Sequence, residues 1–411
     1  EALARKRVGM EEVKVFIVEG EGGLTPGGTH ESLNNAWGLG LGNLHFLVDW
    51  NDYGIDSHAV STMVNGTPSD WFEPHGWRVC GTEEGSDWNG VATALAELVG
   101  SDSSAEVPSM AWFKTRKGRG YLTYDYASHG KPHAMNSEPF WRLRKEFAEK
   151  YGAEFVNVDG APPASEEGVA EEFRANLEAV ADVLASDSEL VDYLAERIVA
   201  LGDSVPESIS SFKLGGKGSP FGDKRLFDAR SYPEEIWAKP GEKVANRAAL
   251  AKWGAWVNSF GRRHYGRPLV LASSADLAGS TNISGFSDGF GDIDGWGWFD
   301  RKNNPDGALL PTEITEFSNA GMLAGVASVN LSEKPEQEFD GFWGAVSTYG
   351  SFSYLKYGPL RIFSQIAQDC DLKVGKFIWI AGHSGPETAD DSRTHFGIFS
   401  PGVTQLFPEG Q

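Results

Sequence analysis

Apolar positions in the first third of the chain fall into short β-rich runs separated by helical stretches. Val13-Lys14-Val15-Phe16-Ile17-Val18 predicts a strand that runs into a glycine turn, Gly20-Glu21-Gly22-Gly23. Residues 29–41 predict a helix, with Thr29 placed to cap it and Gly42 to stop it. Residues 44–49, 77–80 and 110–114 predict further strands, and 91–99 a helix. Short apolar strands alternating with helices argue for a parallel sheet covered on both faces. From about residue 140 to 201 the chain is helical and acidic, with an apolar stripe at 191, 194, 198 and 201. Residues 203–245 are rich in Gly, Pro and Ser and read as a connecting arm. A second α/β pattern follows: helix 247–260, strand 269–272, a Gly-rich stretch to 306, strand 313–316, helices 318–329 and 354–368, and strand 376–380.

Composition narrows the classes. The 411 residues carry 36 Lys plus Arg against 58 Asp plus Glu, a net charge of −22. A nucleic acid read by bulk charge is therefore not an expected partner, and any phosphate must be met locally. No run approaches the roughly 18 apolar residues of a membrane span. The 2 cysteines, Cys80 and Cys370, make no disulfide framework and lack zinc-site spacing, which suits a reducing, cytoplasmic setting. The chain opens on Glu1 almost at a core strand and closes just after a strand-like run at 403–407. Both ends read as cut, so the lack of a signal peptide carries no information.

The sharpest chemical signal is Gly20-Glu21-Gly22 directly after one strand, with Trp50-Asn51 directly after the next. Carboxyl-end loops of adjacent parallel strands are where α/β sheets bind ligands. An acid and an amide oxygen converging there suit a hard cation such as Mg²⁺ holding a phosphate. A dinucleotide fingerprint fits poorly, because Thr25 stands where its third Gly belongs. Two glycines after a strand also make a plain tight turn.

Residues 16–58 (FIVEGEGGLTPGGTHESLNNAWGLGLGNLHFLVDWNDYGIDSH) resemble, without a gap, the cofactor-binding segment of transketolases. Further matches come in the same order. Gly66-Thr67 with Phe72-Glu73-Pro74-His75-Gly76-Trp77, Lys117-Gly118-Arg119-Gly120, and Ser128-His129-Gly130-Lys131-Pro132 belong to the first half. Ser274-Ala275-Asp276-Leu277 with Ser280, and His383, Asp391 and His395, belong to the second.

The resemblance implies two thiamine-diphosphate-binding-type α/β domains, parallel sheets with flanking helices, both incomplete. Residues 1–140 would be the diphosphate-binding domain, 141–245 a helical linker and arm, and 246–411 the pyrimidine-binding domain. It implies transfer of a two-carbon ketol unit between sugar phosphates by a cytoplasmic homodimer with thiamine diphosphate at the subunit interface. Carried over by position, Glu21, Asn51 and the Tyr53 carbonyl would hold Mg²⁺, with Ca²⁺ or Mn²⁺ as alternatives. Gly20, Gly22, Gly23, Asp276, Asn319, Tyr349 and Phe352 would line the cofactor. Arg247, Ser280 and Asp391 would meet substrate, and Glu316, His129, His383 and His395 would be catalytic. Histidines suit proton transfer to sugar hydroxyls near neutral pH.

Three departures stand out. The family's G-D-G aspartate is Glu21, whose carboxylate reaches about one C–C bond further. Pro26 replaces a usual acid. The glutamate that activates the aminopyrimidine aligns with Asn319, so Glu316, three residues earlier, is the expected acid. A phosphoketolase-like or other thiamine-diphosphate enzyme, and a non-catalytic cofactor-binding paralogue, are the alternative readings.

Overall fold

A computed structural model describes residues 1–100, 106–204, 219–332, 334, 337–369 and 375–383. Two four-stranded parallel sheets carry the structure. The first is built from β1 (Val15–Gly20), β2 (Leu44–Trp50), β3 (Arg78–Thr82) and β4 (Ser109–Lys114), in the order β1-β2-β4-β3. The second is built from β5 (Val270–Ser274), β6 (Leu309–Pro311), β7 (Trp343–Tyr349) and β8 (Phe377–Gly382), in the order β6-β5-β7-β8.

The helices in chain order are α1 (Ala2–Lys6), α2 (Gly27–Gly38), α3 (Pro68–Phe72), α4 (Trp88–Val99) and α5 (Glu138–Tyr151), then α6 (Glu166–Ser186), α7 (Ser188–Ser204), α8 (Asn246–Tyr265), α9 (Glu316–Ala327) and α10 (Tyr357–Asp369). Parallel strands need crossovers, and these helices supply them. Local chemistry sets several ends. Thr67 and Asp70 form a reciprocal capping box on α3, and Asp87 accepts the Gly90 amide at the start of α4.

Register aligns the strand ends. Gly20 sits beside Asp49, and Asp49 beside Phe113, so β1, β2 and β4 finish together. In the second sheet Ser274 sits beside Ser347 and Tyr349 beside Gly382. β5 is buried along its whole length, as a central parallel strand must be. β1 is an outer strand, and Phe16, Ile17 and Val18 on it are exposed.

Several predicted elements shift. Helix α2 starts at Gly27 behind Pro26, so Thr29 lies in its first turn and does not cap it. The strand expected at 313–316 is displaced to β6, and Glu316 opens a helix. β7, central to its sheet, is absent from the sequence reading. The expected strand at 403–407 lies outside the described residues. Part of the expected arm is core: Phe221, Leu226 and Ile236 are buried with Val257, Leu269 and Trp343 of the second half.

His45, fully buried in β2, exchanges a hydrogen bond with the Ser109 hydroxyl at 2.7 Å. Burial, with help from Lys14 and Arg78, pulls its imidazole down from 6.5 to about 4. The unfolded chain takes up this proton first, so the stability contribution is full above the unfolded value and is lost as pH falls toward about 4. The span corresponds to about 3 kcal/mol. We expect His45→Gln to flatten this part of the acid slope, read as the change in urea midpoint between neutral and mildly acidic buffer. An unchanged slope would remove His45 as its source.

Candidate functional site

The aligned carboxyl ends of β1, β2 and β4 bring three loops together. Glu21 opens a 3-10 turn directly after β1 and is only 2% exposed. Its Oε2 accepts the Asn51 amide at 3.0 Å, so the extra methylene tucks the carboxylate beneath the second loop. Its Oε1 is buried and has no hydrogen-bond partner among the described residues. Burial pushes this carboxyl above the usual range, opposed by the backbone amides that it accepts and reinforced by Asp49.

Asn51 donates to Asp49 at 2.9 Å and accepts the Tyr53 amide at 3.0 Å. The loop after β4 supplies Lys117, whose ammonium donates to the Tyr53 carbonyl at 3.5 Å and to the Gly54 carbonyl. Glu21, Asn51 and Tyr53 are therefore brought together, with a lysine reaching the Tyr53 carbonyl. No group of three or more His, Cys, Asp or Glu able to hold a metal occurs among the described residues. The assembled set is instead one carboxylate, one amide and one carbonyl. Its unpaired buried oxygen fits a hard cation, for which Lys117 would have to share the Tyr53 carbonyl. Gly20, Gly22 and Gly23 lie in the same turn, and a Cβ on Gly23 would meet the Glu19 carboxylate at 2.5 Å.

The second sheet presents its residues at the corresponding end. Asp276 follows β5 in the left-handed region, with φ 57°, and is exposed. Arg247 donates to the Ser280 carbonyl at 2.9 Å, bringing two of the expected substrate residues together. Glu316, the first residue of α9, is 7% exposed, and its Oε1 accepts the Thr348 hydroxyl at 3.1 Å. Asn319, one turn on, is fully buried, and neither side-chain polar atom has a hydrogen-bond partner among the described residues. Tyr349 ends β7 and packs its ring 4.3 Å from His383, which follows β8. Phe352 is half-buried beyond Tyr349. His129 is exposed at the end of its 3-10 turn, and among the described residues no hydrogen bond or ring contact joins it to the other candidates. Asp391 and His395 lie outside the described residues.

Helices α2 and α9 connect the two groups. The Glu31 carboxylate accepts the Ser318 amide at 3.0 Å, and Asn35 donates to the Ser318 hydroxyl at 3.0 Å. Phe317 lies so close to Gly28 that a Cβ there would sit 2.7 Å from its ring. Sequence reading passed over Lys117, Thr348 and Lys356. Lys117 lay inside a quoted motif, whereas nothing in the run around Lys356 announces a buried amine.

Residues 2–158 match the family model described as transketolase, thiamine diphosphate binding domain. Residues 2–158 belong to the transketolase family. It is 29% identical over 386 residues to a transketolase of Halalkalibacterium halodurans, covering 92% of this chain and 48% of that one. It is 30% identical over 318 residues to a plasmid transketolase of Cupriavidus necator, covering 76% of this chain and 41% of that one. The chain thus spans about half the length of the curated transketolases it matches. The solved transketolase from Leishmania mexicana superimposes with TM-score 0.63 at 17% identity, over 99% of this chain and 54% of that one. That likeness is one of fold.

The Glu31–Ser318 contact joins the two halves through a charged acceptor, which ordinarily contributes about 1.5–3 kcal/mol. We expect Glu31→Ala to destabilise the protein by about 2 kcal/mol and Glu31→Gln by less. Urea unfolding measures both. Equal stability of Glu31→Ala and the parent would show that α2 and α9 do not depend on this bond.

Proposed function

We propose that the chain forms the two cofactor-binding domains of a transketolase, divided near residues 140 and 246, that transfers a two-carbon ketol unit between sugar phosphates as a homodimer. The observation that carries this reading is the buried Glu21 carboxylate, with one oxygen unpaired, at the aligned ends of two parallel strands. Thiamine diphosphate, when bound, supplies a thiazolium that serves as electron sink. Glu21, Asn51 and the Tyr53 carbonyl would hold the divalent cation on the diphosphate. Gly20, Gly22 and Gly23 leave that turn without side chains beyond Glu21.

In the second half, Glu316 would hold a proton at the aminopyrimidine nitrogen, in an interior where such a contact is strong. Asn319 would offer an amide to the same ring. Tyr349 and Phe352 would pack on its face, with Asp276 nearby. His129, His383 and His395 would move protons to and from sugar hydroxyls, while Arg247, Ser280 and Asp391 hold the sugar phosphate. No helix among the described residues is long and apolar enough to cross a membrane.

The metal assignment predicts that thiamine diphosphate binds only with a divalent cation and that Glu21→Ala abolishes this binding while the fold persists. Ca²⁺ or Mn²⁺ should serve at least as well as Mg²⁺, because the longer acid suits a less exacting ion. Calorimetric affinity unchanged in Glu21→Ala would falsify the assignment.

The acid is tested separately. Glu316→Gln should suppress exchange of the cofactor C2 proton by orders of magnitude, and Asn319→Ala should have the milder effect. Near-normal exchange in Glu316→Gln, followed by proton NMR, would place the acid elsewhere.

A further inference from the structure

A lysine is sealed into the protein beside the candidate acid. The 3-10 turn Gly350–Lys356 joins β7 to α10, and its last residue is completely buried. The Lys356 Nζ has no hydrogen-bond partner among the described residues. Glu316 is buried close by on α9, and Asn319 follows three residues later on the same helix face with its own polar atoms unpaired. An ammonium group denied both water and hydrogen bonds is costly, and simple packing would favour an apolar side chain.

The electrostatics identify its counterpart. The turn packs against α9, β7, α10 and β8. Titratable or charged groups on or next to these elements are Glu316 on α9, Tyr349 ending β7, Tyr357, Arg361 and Asp369 on α10, Lys376 before β8 and His383 after it. Tyr354 lies on the turn itself. Among them, Glu316 is the group whose charge acts on Lys356. Burial pulls the amine down from 10.5 to about 7, and Glu316 pushes it back up. An amine in that range both holds and releases a proton near neutral pH.

We propose that Lys356 is a positioning residue acting through Glu316, its buried amine setting the charge beside the ring pocket from the turn that packs on α9. The inference rests on the reading of Glu316 as the group that meets the aminopyrimidine. The Lys356 amine makes no hydrogen bond to Glu316 among the described residues, so it acts on the pocket through its charge. When protonated it offsets the burial of negative charge there, and when neutral it does not. Asn319 adds a neutral donor and acceptor beside it.

Two measurements on the full protein test this. In protein carrying carbon-13 lysine, the Lys356 Cε signal is assigned by its loss in Lys356→Met, and in Lys356→Arg should the methionine variant fail to fold. We expect this signal to titrate near neutral pH and its midpoint to drop by at least half a unit in Glu316→Gln. A midpoint near that of a free lysine, or one unmoved by Glu316→Gln, overturns the inference. The second measurement is calorimetric affinity for thiamine diphosphate with Mg²⁺ across pH. Relative to Lys356→Arg, which keeps its charge, wild-type affinity should fall at least tenfold as pH rises through the Lys356 midpoint. A purely structural lysine would leave the two pH profiles parallel, which also overturns the inference. Intact coupling with no thiamine diphosphate binding by the wild type overturns the proposed function instead, so the two failures are distinguishable.

Discussion

The contact on which the candidate site depends is the one between the first turns of α2 and α9. Each helix follows the carboxyl edge of its own sheet, and each has a buried acid at its approach, Glu21 in the turn before α2 and Glu316 as the first residue of α9. The Glu31 carboxylate on the Ser318 amide satisfies one of the donors that every helix start leaves open. It does so with a residue from the other half of the chain. Phe317 against Gly28 then sets the spacing, since any side chain at Gly28 would collide with the ring. Positioning of the two acids is therefore a consequence of helix-end chemistry as much as of sheet packing.

That arrangement allows the interior to hold polar groups that would otherwise be unfavourable. Glu21, Glu316, Asn319 and Lys356 are all buried, and three of them have at least one polar atom unpaired among the described residues. Natural interiors pair nearly all such atoms, so exceptions call for a reason. The buried hydroxyls of Ser274 in β5, Ser347 in β7 and Thr281 in the segment after β5 satisfy one another at 2.8 Å, which shows that polar groups here can be paired when nothing else requires them. Glu21 and Lys356 lie instead in the turns that follow β1 and β7, and Asn319 on the helix that follows β6, at the ends where parallel sheets meet ligands.

Much of the first sheet was legible because its signals are local. The run before Gly20-Glu21-Gly22 is β-branched, and the glycines after it end the strand within two residues of the expected place. The approach of Glu21 to Asn51 followed from adjacent strand ends, whereas Tyr53 entered only through the family resemblance. The second half was harder. β7 reads Trp-Gly-Ala-Val-Ser-Thr-Tyr, in which small residues pack against α9 and the hydroxyls form a buried network, so neither alternation nor a long apolar run marks it. Glu316 was misplaced onto a strand because Ile314 and Thr315 have β-prone side chains, whereas the chain at Glu313 takes φ 53° and turns into α9. Lys356 was invisible for a different reason. A lysine in an aromatic run looks like a surface residue until the turn that carries it folds under α9.

The loop around Tyr53 shows how this chain differs from a simple metal cradle. Lys117 and a divalent cation would share the Tyr53 carbonyl, and two positive charges side by side repel unless anionic oxygens separate them. Glu21 supplies one such oxygen and Asp49 lies next to it, with the Asp49 carboxylate already taken by Asn51 and Thr115. A diphosphate would supply several more. The physical expectation is cooperative filling, in which the cation alone competes with Lys117 and binds poorly. Once a diphosphate bridges the two charges, each stabilises the other. A glutamate in place of aspartate fits that arrangement, because its longer stem allows one carboxylate oxygen to stay on the Asn51 amide while the other remains free for the incoming ion. On the proposed reading the ligand would complete the site, and the unpaired oxygen of Glu21 is the feature that such completion would satisfy.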